Sequence, residues 1–182
     1  DSPNFLNTLP GVDDYFSKKR SYFQTDFYTW QRKQRNILLD NNKNPLGGQW
    51  TFDGDNRQRF PKKEKAPLLE LPRESKYLGE ARKYVQQHFF NNYGAINGPC
   101  LFVVTFEDAE KWLDDFFKTR FEKFGIYEDA IVAKEAVLYH SVLTPMLNIG
   151  LLQPQRIIDK ALATAKKYSI PLNSVEGFIR QI

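Results

Sequence analysis

Two hydroxyl side chains in the second half of the sequence have a spacing that suits a phosphate site. Ser141 and Thr144 stand three residues apart in an apolar stretch, and residues three apart share one face of a helix. Hydroxyls near a helix start, together with its free backbone N–H groups, can donate to a phosphate or diphosphate. Because Ser-x-x-Thr also serves as a local helix cap, the bare pattern leaves both interpretations open.

Other residues that could carry chemistry are sparse. The chain has two histidines, His88 and His140, and a single cysteine, Cys100. It contains no H-E-x-x-H motif, Walker A loop, G-x-G-x-x-G loop or G-x-S-x-G turn. One cysteine excludes an internal disulfide and a cysteine-rich cluster built by this chain alone. We therefore predict no metal site and assign no catalytic residue. Three carboxylate pairs are predicted to lie on solvated faces: Asp13-Asp14, Asp114-Asp115 and Glu128-Asp129.

The elements that must position the hydroxyl pair follow a helical period, so we predict a mainly α fold. Residues 13–38 predict one helix or two, with a basic face opposite an aromatic one. The aromatic face comprises Phe16, Phe23, Phe27, Trp30 and Ile37. Another helix is predicted after Ser75, with an apolar stripe formed by Leu78, Ala81, Val85 and Phe89. Residues 101–104 predict a short strand or a buried extended link.

Four further helices are predicted in the second half. In chain order they run from Thr105 to Gly125, over about 135–150, from Pro154 onward and from Asn173 onward. Proline at position 145 predicts either a kink or a helix that begins at Thr144-Pro145. Asn173, with Glu176 three residues later, is typical of a capping box. The last helix has no stop signal, so we expect the chain to be a segment of a longer protein.

Residues 40–74 break the helical pattern and predict a long linker. They contain four prolines and the pair Gly47-Gly48. Residues 47–57 read Gly-Gly-Gln-Trp-Thr-Phe-Asp-Gly-Asp-Asn-Arg. This composition predicts a loop pinned onto a domain surface. We therefore divide the chain into a helical end of one domain (1–39), the linker (40–74) and the first part of a second, helical domain (75–182).

Composition and charge limit the function classes. The 182 residues are 41% hydrophobic, 15% aromatic and 26% charged, which is typical of a globular chain. The net charge is +4, and most of the basic excess lies in the first half, where it can attract phosphate. No apolar run reaches the ~18 residues of a membrane span, and no targeting signal is evident. Scarce cysteine fits a reducing compartment, so we expect a cytoplasmic location.

A resemblance gives these patterns a more specific meaning. The stretch Ser141-Val142-Leu143-Thr144-Pro145-x-Leu147-x-x-Gly150 resembles the Ser-x-Leu-Ser-Pro-x-Leu-x-x-Gly flavin-binding signature of photolyases and cryptochromes. More specifically, the chain resembles the deoxyribodipyrimidine-photolyase-related family, whose prokaryotic members also carry an iron–sulfur cluster. Four ordered segments carry this resemblance: 47–57, 124–130, 140–152 and 171–182. Thr144 stands where serine is usual, Thr51 where asparagine is usual and Gln49 where lysine is common.

The resemblance implies a helical, flavin-binding domain preceded by an interdomain linker. It implies a light-driven enzyme that uses reduced flavin adenine dinucleotide (FAD) to reverse pyrimidine photoproducts, of the (6-4) type in characterised relatives. By motif, Ser141, Leu143 and Thr144 are the best candidates to bind the flavin phosphates. Further candidates are His140, Asn148, Tyr127 and Gln181.

The resemblance also implies cofactors and partners for the intact protein. A [4Fe-4S] cluster and a lumazine antenna are expected only there, because Cys100 matches no cluster ligand. The expected partners are damaged DNA and the remainder of the polypeptide, with no membrane. We expect the segment alone to be inactive. Two alternatives stay open: a cryptochrome-type blue-light photoreceptor without repair activity, and a non-enzymatic helical interaction module.

Overall fold

The computed structural model describes residues 2–182 as a succession of helices. The α-helices are α1 (Leu9–Ser17), α2 (Gln24–Arg35), α3 (Lys76–His88), α4 (Phe106–Thr119), α5 (Phe121–Phe124), α6 (Thr144–Asn148), α7 (Pro154–Tyr168) and α8 (Leu172–Gln181). Short 3₁₀ turns lie at Leu46–Gly48 and Gly125–Tyr127. Across residues 2–182, β pairing is limited to one isolated bridge between Leu39 and Pro45. The prediction of a mainly α fold is therefore confirmed.

The first predicted helical region forms two helices, and the first begins earlier than expected. The Thr8 side chain caps α1 by accepting a hydrogen bond from the backbone N–H of Gly11 at 3.2 Å. Tyr15 of α1 packs on Trp30 of α2, with ring centroids 4.6 Å apart. The predicted aromatic face is wrong at Phe23, which is 65% exposed, because it lies just before α2 begins.

Phenylalanine rings form the centre of the core. The ring centroid of Phe178 in α8 lies 5.0 Å from that of Phe116, 5.4 Å from that of Phe121 and 5.4 Å from that of Phe124. Each ring that is removed from water contributes about 1.5–3 kcal/mol, and such aromatic pairs add about 0.5–1.5 kcal/mol. Helix α7 packs against this cluster through buried Ile157, Ile158 and Ala161. The core therefore joins α4, α5, α7 and α8.

Local signals predicted three helix starts well. The hydroxyl oxygens of Ser75 and Thr105 accept hydrogen bonds from backbone N–H groups three residues later, at 3.2 Å each. Pro154 occupies the first turn of α7. A backbone N–H in that turn has no helical acceptor, so the N–H that proline lacks costs the helix no hydrogen bond. These signals work because each helix start needs only residues within its own first turn.

The helix predicted over 135–150 is wrong except at residues 144–148. Helix α6 begins at Thr144, with proline next, so the alternative start at Thr144-Pro145 is confirmed. Val142 just before it has φ +54°, a left-handed conformation that ends any continuous helix. Val137, Leu138 and Tyr139 are buried in irregular backbone instead.

The capping box predicted at Asn173 and Glu176 is also wrong. Helix α8 begins one residue earlier, at Leu172, directly after Pro171. The Asn173 side chain donates to Asn56 Oδ1 at 3.0 Å, and Asn56 Nδ2 donates to the backbone carbonyl of Asn173 at 3.1 Å. The Glu176 side chain is fully buried and binds groups from elsewhere in the chain. Both polar groups form tertiary contacts that are worth more than a local cap.

The predicted linker contains no α-helix, as expected, but it is firmly attached at several points. Asn56 is fully buried, and the backbone N–H of Gln58 donates to the carbonyl of Ile126 at 3.1 Å. The prediction that residues 47–57 pin a loop onto a surface is confirmed. By contrast, α3 buries none of its side chains, so its apolar stripe does not form a core face.

Gly125 allows the closest approach between α5 and α8. A Cβ atom there would lie 2.7 Å from the backbone nitrogen of Ser174 and 2.8 Å from the carbonyl carbon of Asn173. Both are backbone atoms that cannot turn aside. The N–H of Gly125 also donates to Ser174 Oγ at 2.9 Å. Glycine is therefore required here for space rather than for an unusual φ.

We expect Gly125→Ala to lower the free energy of unfolding by about 1–3 kcal/mol, because the added methyl overpacks this contact. The matched control is Gly79→Ala in exposed α3, where a Cβ meets nothing within 4 Å. That change should leave stability unchanged or raise it by up to about 1 kcal/mol. Urea unfolding of both variants checks the difference, and equal stabilities would contradict the packing role of Gly125.

Candidate functional site

The flavin-signature segment is turned sharply and anchored from two sides. Trp112 Nε1 donates to the backbone carbonyl of Ser141 at 3.1 Å. The next residue, Val142, is β-branched and has φ +54°, a conformation that costs about 1–3 kcal/mol and persists only where neighbours enforce it. Leu143, with 1% exposure, then anchors the segment in the core. The expected placement of Ser141 and Thr144 on one helical face is wrong, because Ser141 precedes α6.

The two hydroxyls of this segment are available to a ligand. Thr144 is exposed, Ser141 is half-buried, and neither hydroxyl forms a hydrogen bond to any of residues 2–182. Asn148 is also exposed, at the other end of α6. Helix α6 has only five residues, so its dipole contributes little and the donors must come from the side chains.

Glu128 connects two other predicted site residues. A ring nitrogen of His140, Nε2, lies 3.1 Å from the Glu128 carbonyl oxygen. A carbonyl only accepts, so this nitrogen carries the proton and Nδ1 is left as an acceptor in the neutral ring. Gln181 Nε2 donates to Glu128 Oε2 at 3.1 Å. The structure therefore brings both His140 and Gln181 to Glu128. In sequence His140 is 12 positions from Glu128, and Gln181 is 53 positions from it.

The Tyr127 hydroxyl binds the predicted linker. Its hydroxyl donates to Glu64 Oε2 at 3.2 Å, and the Tyr139 hydroxyl donates to Glu64 Oε1 at 2.9 Å. Lys123 completes an ion pair with the same carboxylate. The hydrogen bond from Lys123, followed by that from Tyr139, lowers the pKa of Glu64. Tyr127 thus fixes residues 60–66 to the helical part of the chain.

A buried polar network lies beside Glu128, and sequence reasoning missed it. Arg180 meets three carboxylates: Nη2 is 3.0 Å from Glu128 and 3.3 Å from Asp53, and Nε is 3.4 Å from Glu176. Glu128 was predicted to be solvated, which is wrong: only 3% of its side chain is exposed. Burial raises the pKa of Glu128, although Arg180 opposes this effect.

Glu176 is the most deeply buried member of this network. The Tyr28 hydroxyl donates to Oε1 at 2.8 Å, and the backbone N–H of Phe52 donates to Oε2 at 3.0 Å. Burial, followed by the charge of Glu176, raises the pKa of Tyr28, so this hydroxyl keeps its proton. Gly177 makes room for the network, because a Cβ there would lie 2.7 Å from Asn56 Nδ2.

The remaining candidate groups are the possible metal ligands and the single cysteine. Among residues 2–182, no group of three or more His, Cys, Asp or Glu side chains is arranged to hold a metal ion. Cys100 is a half-buried free thiol. In the same part of the chain, none of the helices has the length and apolar character needed to cross a bilayer.

Comparison with known proteins identifies the family. The model of the deoxyribodipyrimidine photo-lyase-related protein family matches residues 1–100, more than half of the chain. The chain belongs to this family. The predicted resemblance to this family is thereby confirmed. The matched residues include the loop that binds Glu176, so the buried network involves a segment that the family model covers.

Individual relatives of this photo-lyase-related chain are consistent with that assignment. It is 32% identical over 178 residues to a protein of Agrobacterium fabrum named (6-4) photolyase. The aligned residues make up 98% of the chain and 35% of that relative. Two uncharacterised proteins of Acanthamoeba polyphaga mimivirus are 40% and 43% identical over 67 and 58 residues. These matches cover 35% and 31% of the chain, and 34% and 45% of the viral proteins. The chain thus spans less than half of each relative.

We expect Glu176→Ala to lower the free energy of unfolding by about 3 kcal/mol, because it leaves Tyr28, the Phe52 N–H and Arg180 short of an acceptor. Tyr28→Phe should lower the free energy of unfolding by about 1 kcal/mol, because it removes one hydrogen bond to Glu176. The control is Glu80→Ala, an exposed helical position in α3. Denaturant unfolding measures all three, and an effect of Glu176→Ala no larger than that of the control would contradict the anchoring role.

The Glu64 contact predicts a pH-dependent stability. Its folded pKa lies below the unfolded value, so its contribution is present above about pH 4.3 and is lost as pH falls through the folded pKa. Glu64→Gln should therefore destabilise the protein by about 1 kcal/mol at pH 7. Near pH 2, variant and wild type should be equally stable. Exposed Glu70→Gln is the control, and a pH-independent effect at position 64 would contradict the ion pair.

Proposed function

We propose that this chain forms part of a flavin-dependent photolyase that reverses (6-4) pyrimidine photoproducts in DNA. The observation that carries the proposal is the match of almost the whole chain to a protein named (6-4) photolyase. The family assignment supports the photolyase-like role. In this proposal residues 1–39 end one domain, residues 40–74 link it to the next and residues 75–182 begin the helical flavin domain.

The flavin phosphates are proposed to bind at Ser141 and Thr144. Both hydroxyls are free to donate, and a threonine in place of the usual serine keeps the donor. Leu143 contributes by anchoring the turn in the core. The strained conformation at Val142 supports this proposal, because strain of this kind is concentrated at ligand sites. Asn148, at the exposed end of α6, is a further candidate donor.

His140, Gln181 and Tyr127 are proposed to position the site rather than to hold a phosphate. His140 Nε2–H and Gln181 Nε2 are engaged by Glu128, and Tyr127 is engaged by Glu64. When bound, reduced FAD supplies the electron that splits the photoproduct under light. The remaining side of the flavin site, any iron–sulfur cluster, the antenna and the lesion pocket are expected from parts of the protein outside these 182 residues.

The test uses the full-length protein, purified with its cofactor. A variant with Ser141→Ala or Thr144→Val should bind FAD about tenfold more weakly, since a hydrogen bond to a charged phosphate contributes about 1.5–3 kcal/mol. Thr119→Val, at an exposed position of α4, is the matched control. Flavin absorbance per protein and a FAD titration measure the effect. Wild-type affinity in both site variants would overturn the phosphate assignment.

Repair is tested separately with an oligonucleotide that carries a (6-4) photoproduct. The proposal expects the wild-type holoenzyme to restore the undamaged bases under blue light and not in the dark. Flavin binding without repair would instead favour the cryptochrome-type photoreceptor. A protein that binds no flavin would favour the non-enzymatic helical interaction module. Either of the last two results overturns the proposed repair function.

A further inference from the structure

A cleft of about 440 Å³ lies between α2, the loop at residues 51–57 and α8. This volume falls in the range of about 300–1,000 Å³ that small-molecule sites occupy. None of the seven residues that the flavin resemblance singles out lines it. The apolar part of the wall comes mainly from Phe27, Ile37, Ile158, Ile179 and Ile182. The cleft is therefore a site separate from the flavin-signature segment.

A buried hydrogen-bond donor without an acceptor belongs to the wall of this cleft. In the described part of the chain Gln31 Nε2 has no hydrogen-bond partner, and Gln31 lines the cleft. Arg180 Nε, in the same wall, lies 3.4 Å from Glu176 and is ion-paired with it. Leaving a buried donor unsatisfied is costly, so Gln31 Nε2 marks a place where an acceptor is expected. The wall therefore offers a donor to an oxygen atom of a ligand.

The cleft wall also contains two arginines that form no ion pair with a carboxylate of residues 2–182. Arg35 donates only to neutral oxygens: the Leu6 carbonyl, Asn7 Oδ1 and Gln31 Oε1. Arg32 is 2% exposed, and its three hydrogen bonds go to backbone carbonyls. Neither guanidinium forms an ion pair within residues 2–182. Burial lowers the pKa of Arg35, which reflects the cost of leaving this charge without a counter-ion.

The acidic group in the wall pairs with other arginines. Asp53 lines the cleft, but it pairs with Arg57 at 2.5 Å and with Arg180 at 3.3 Å. The two other carboxylates of the network, Glu128 and Glu176, also pair with Arg180. None of these carboxylates forms an ion pair with Arg35. Arg35, which is half-buried, is therefore the guanidinium of the cleft wall that a ligand can reach.

We propose that this cleft binds a small organic phosphate of mononucleotide size, with its phosphate at Arg35 and Gln31 and its apolar body against Ile158 and Ile179. A guanidinium is a charged donor suited to phosphate, and Arg35 keeps N–H groups at Nε and Nη1 beyond its three existing hydrogen bonds. Gln31 supplies a further donor through Nε2, since its oxygen already accepts from Arg35. The site adds a second, flavin-independent binding function to the chain.

The deciding variant is Gln31→Glu in the full-length protein. A glutamate at position 31 lies four residues before Arg35 on α2, the favourable orientation for a helical ion pair. It should therefore leave the thermal midpoint unchanged or higher while it neutralises Arg35. We expect adenosine monophosphate to bind at least tenfold more weakly to this variant. Gln34→Glu is the matched control, because it adds the same charge at an exposed position of the same helix.

Calorimetric titrations use adenosine monophosphate, adenosine and inorganic phosphate, each without and with saturating FAD. The proposal expects adenosine to bind at least tenfold more weakly than the monophosphate, and phosphate alone to compete with it. No saturable binding of the monophosphate, or equal affinities for monophosphate and adenosine, overturns the proposal. Equal losses in Gln31→Glu and Gln34→Glu also overturn it, because they would indicate general electrostatic repulsion. Loss of binding when FAD is added would assign the monophosphate to the flavin site.

Discussion

The structure depends on one buried carboxylate. Glu176 has no exposure to water, and a carboxylate in such a place must be paired and hydrogen-bonded or it would destabilise the fold by several kcal/mol. Its partners are the Tyr28 hydroxyl from α2, the Phe52 N–H from the loop and Arg180 from α8. Three separate parts of the chain are therefore held in one relative position.

This constraint explains the composition of the loop at residues 47–57. Asn56 is fully buried against Asn173, and Asp53 pairs with Arg180. Gly47 has φ +72°, and a Cβ there would lie 2.7 Å from Leu172 Cδ2. Each of these residues meets α8 itself. Gly47, Asp53 and Asn56 are thus architectural, and they attach the linker to the helix whose Phe178 forms the centre of the core.

The same network gives the proposed flavin segment a rigid base. Glu128 joins Arg180 and Gln181 through its carboxylate and His140 through its carbonyl. From the other side, Trp112 holds the backbone of Ser141. The turn at Val142 is therefore fixed before any ligand arrives, which is the preorganisation that a phosphate site requires. Asp53 and Arg180 of this network also line the cleft, so one buried network borders both proposed sites.

The sequence by itself determined the helices whose signals are local. Thr105, Ser75 and Pro154 mark helix starts because the groups that they satisfy lie within one turn. The ordered motifs also indicated the family, because short motifs can be read from the sequence without knowing which residues they contact in the fold. The tertiary structure alone decided the burial of Glu128 and Glu176 and the irregular backbone before Thr144. Tyr28 is 148 residues from Glu176 and Phe52 is 124 residues from it, so no local pattern could show that this carboxylate has partners.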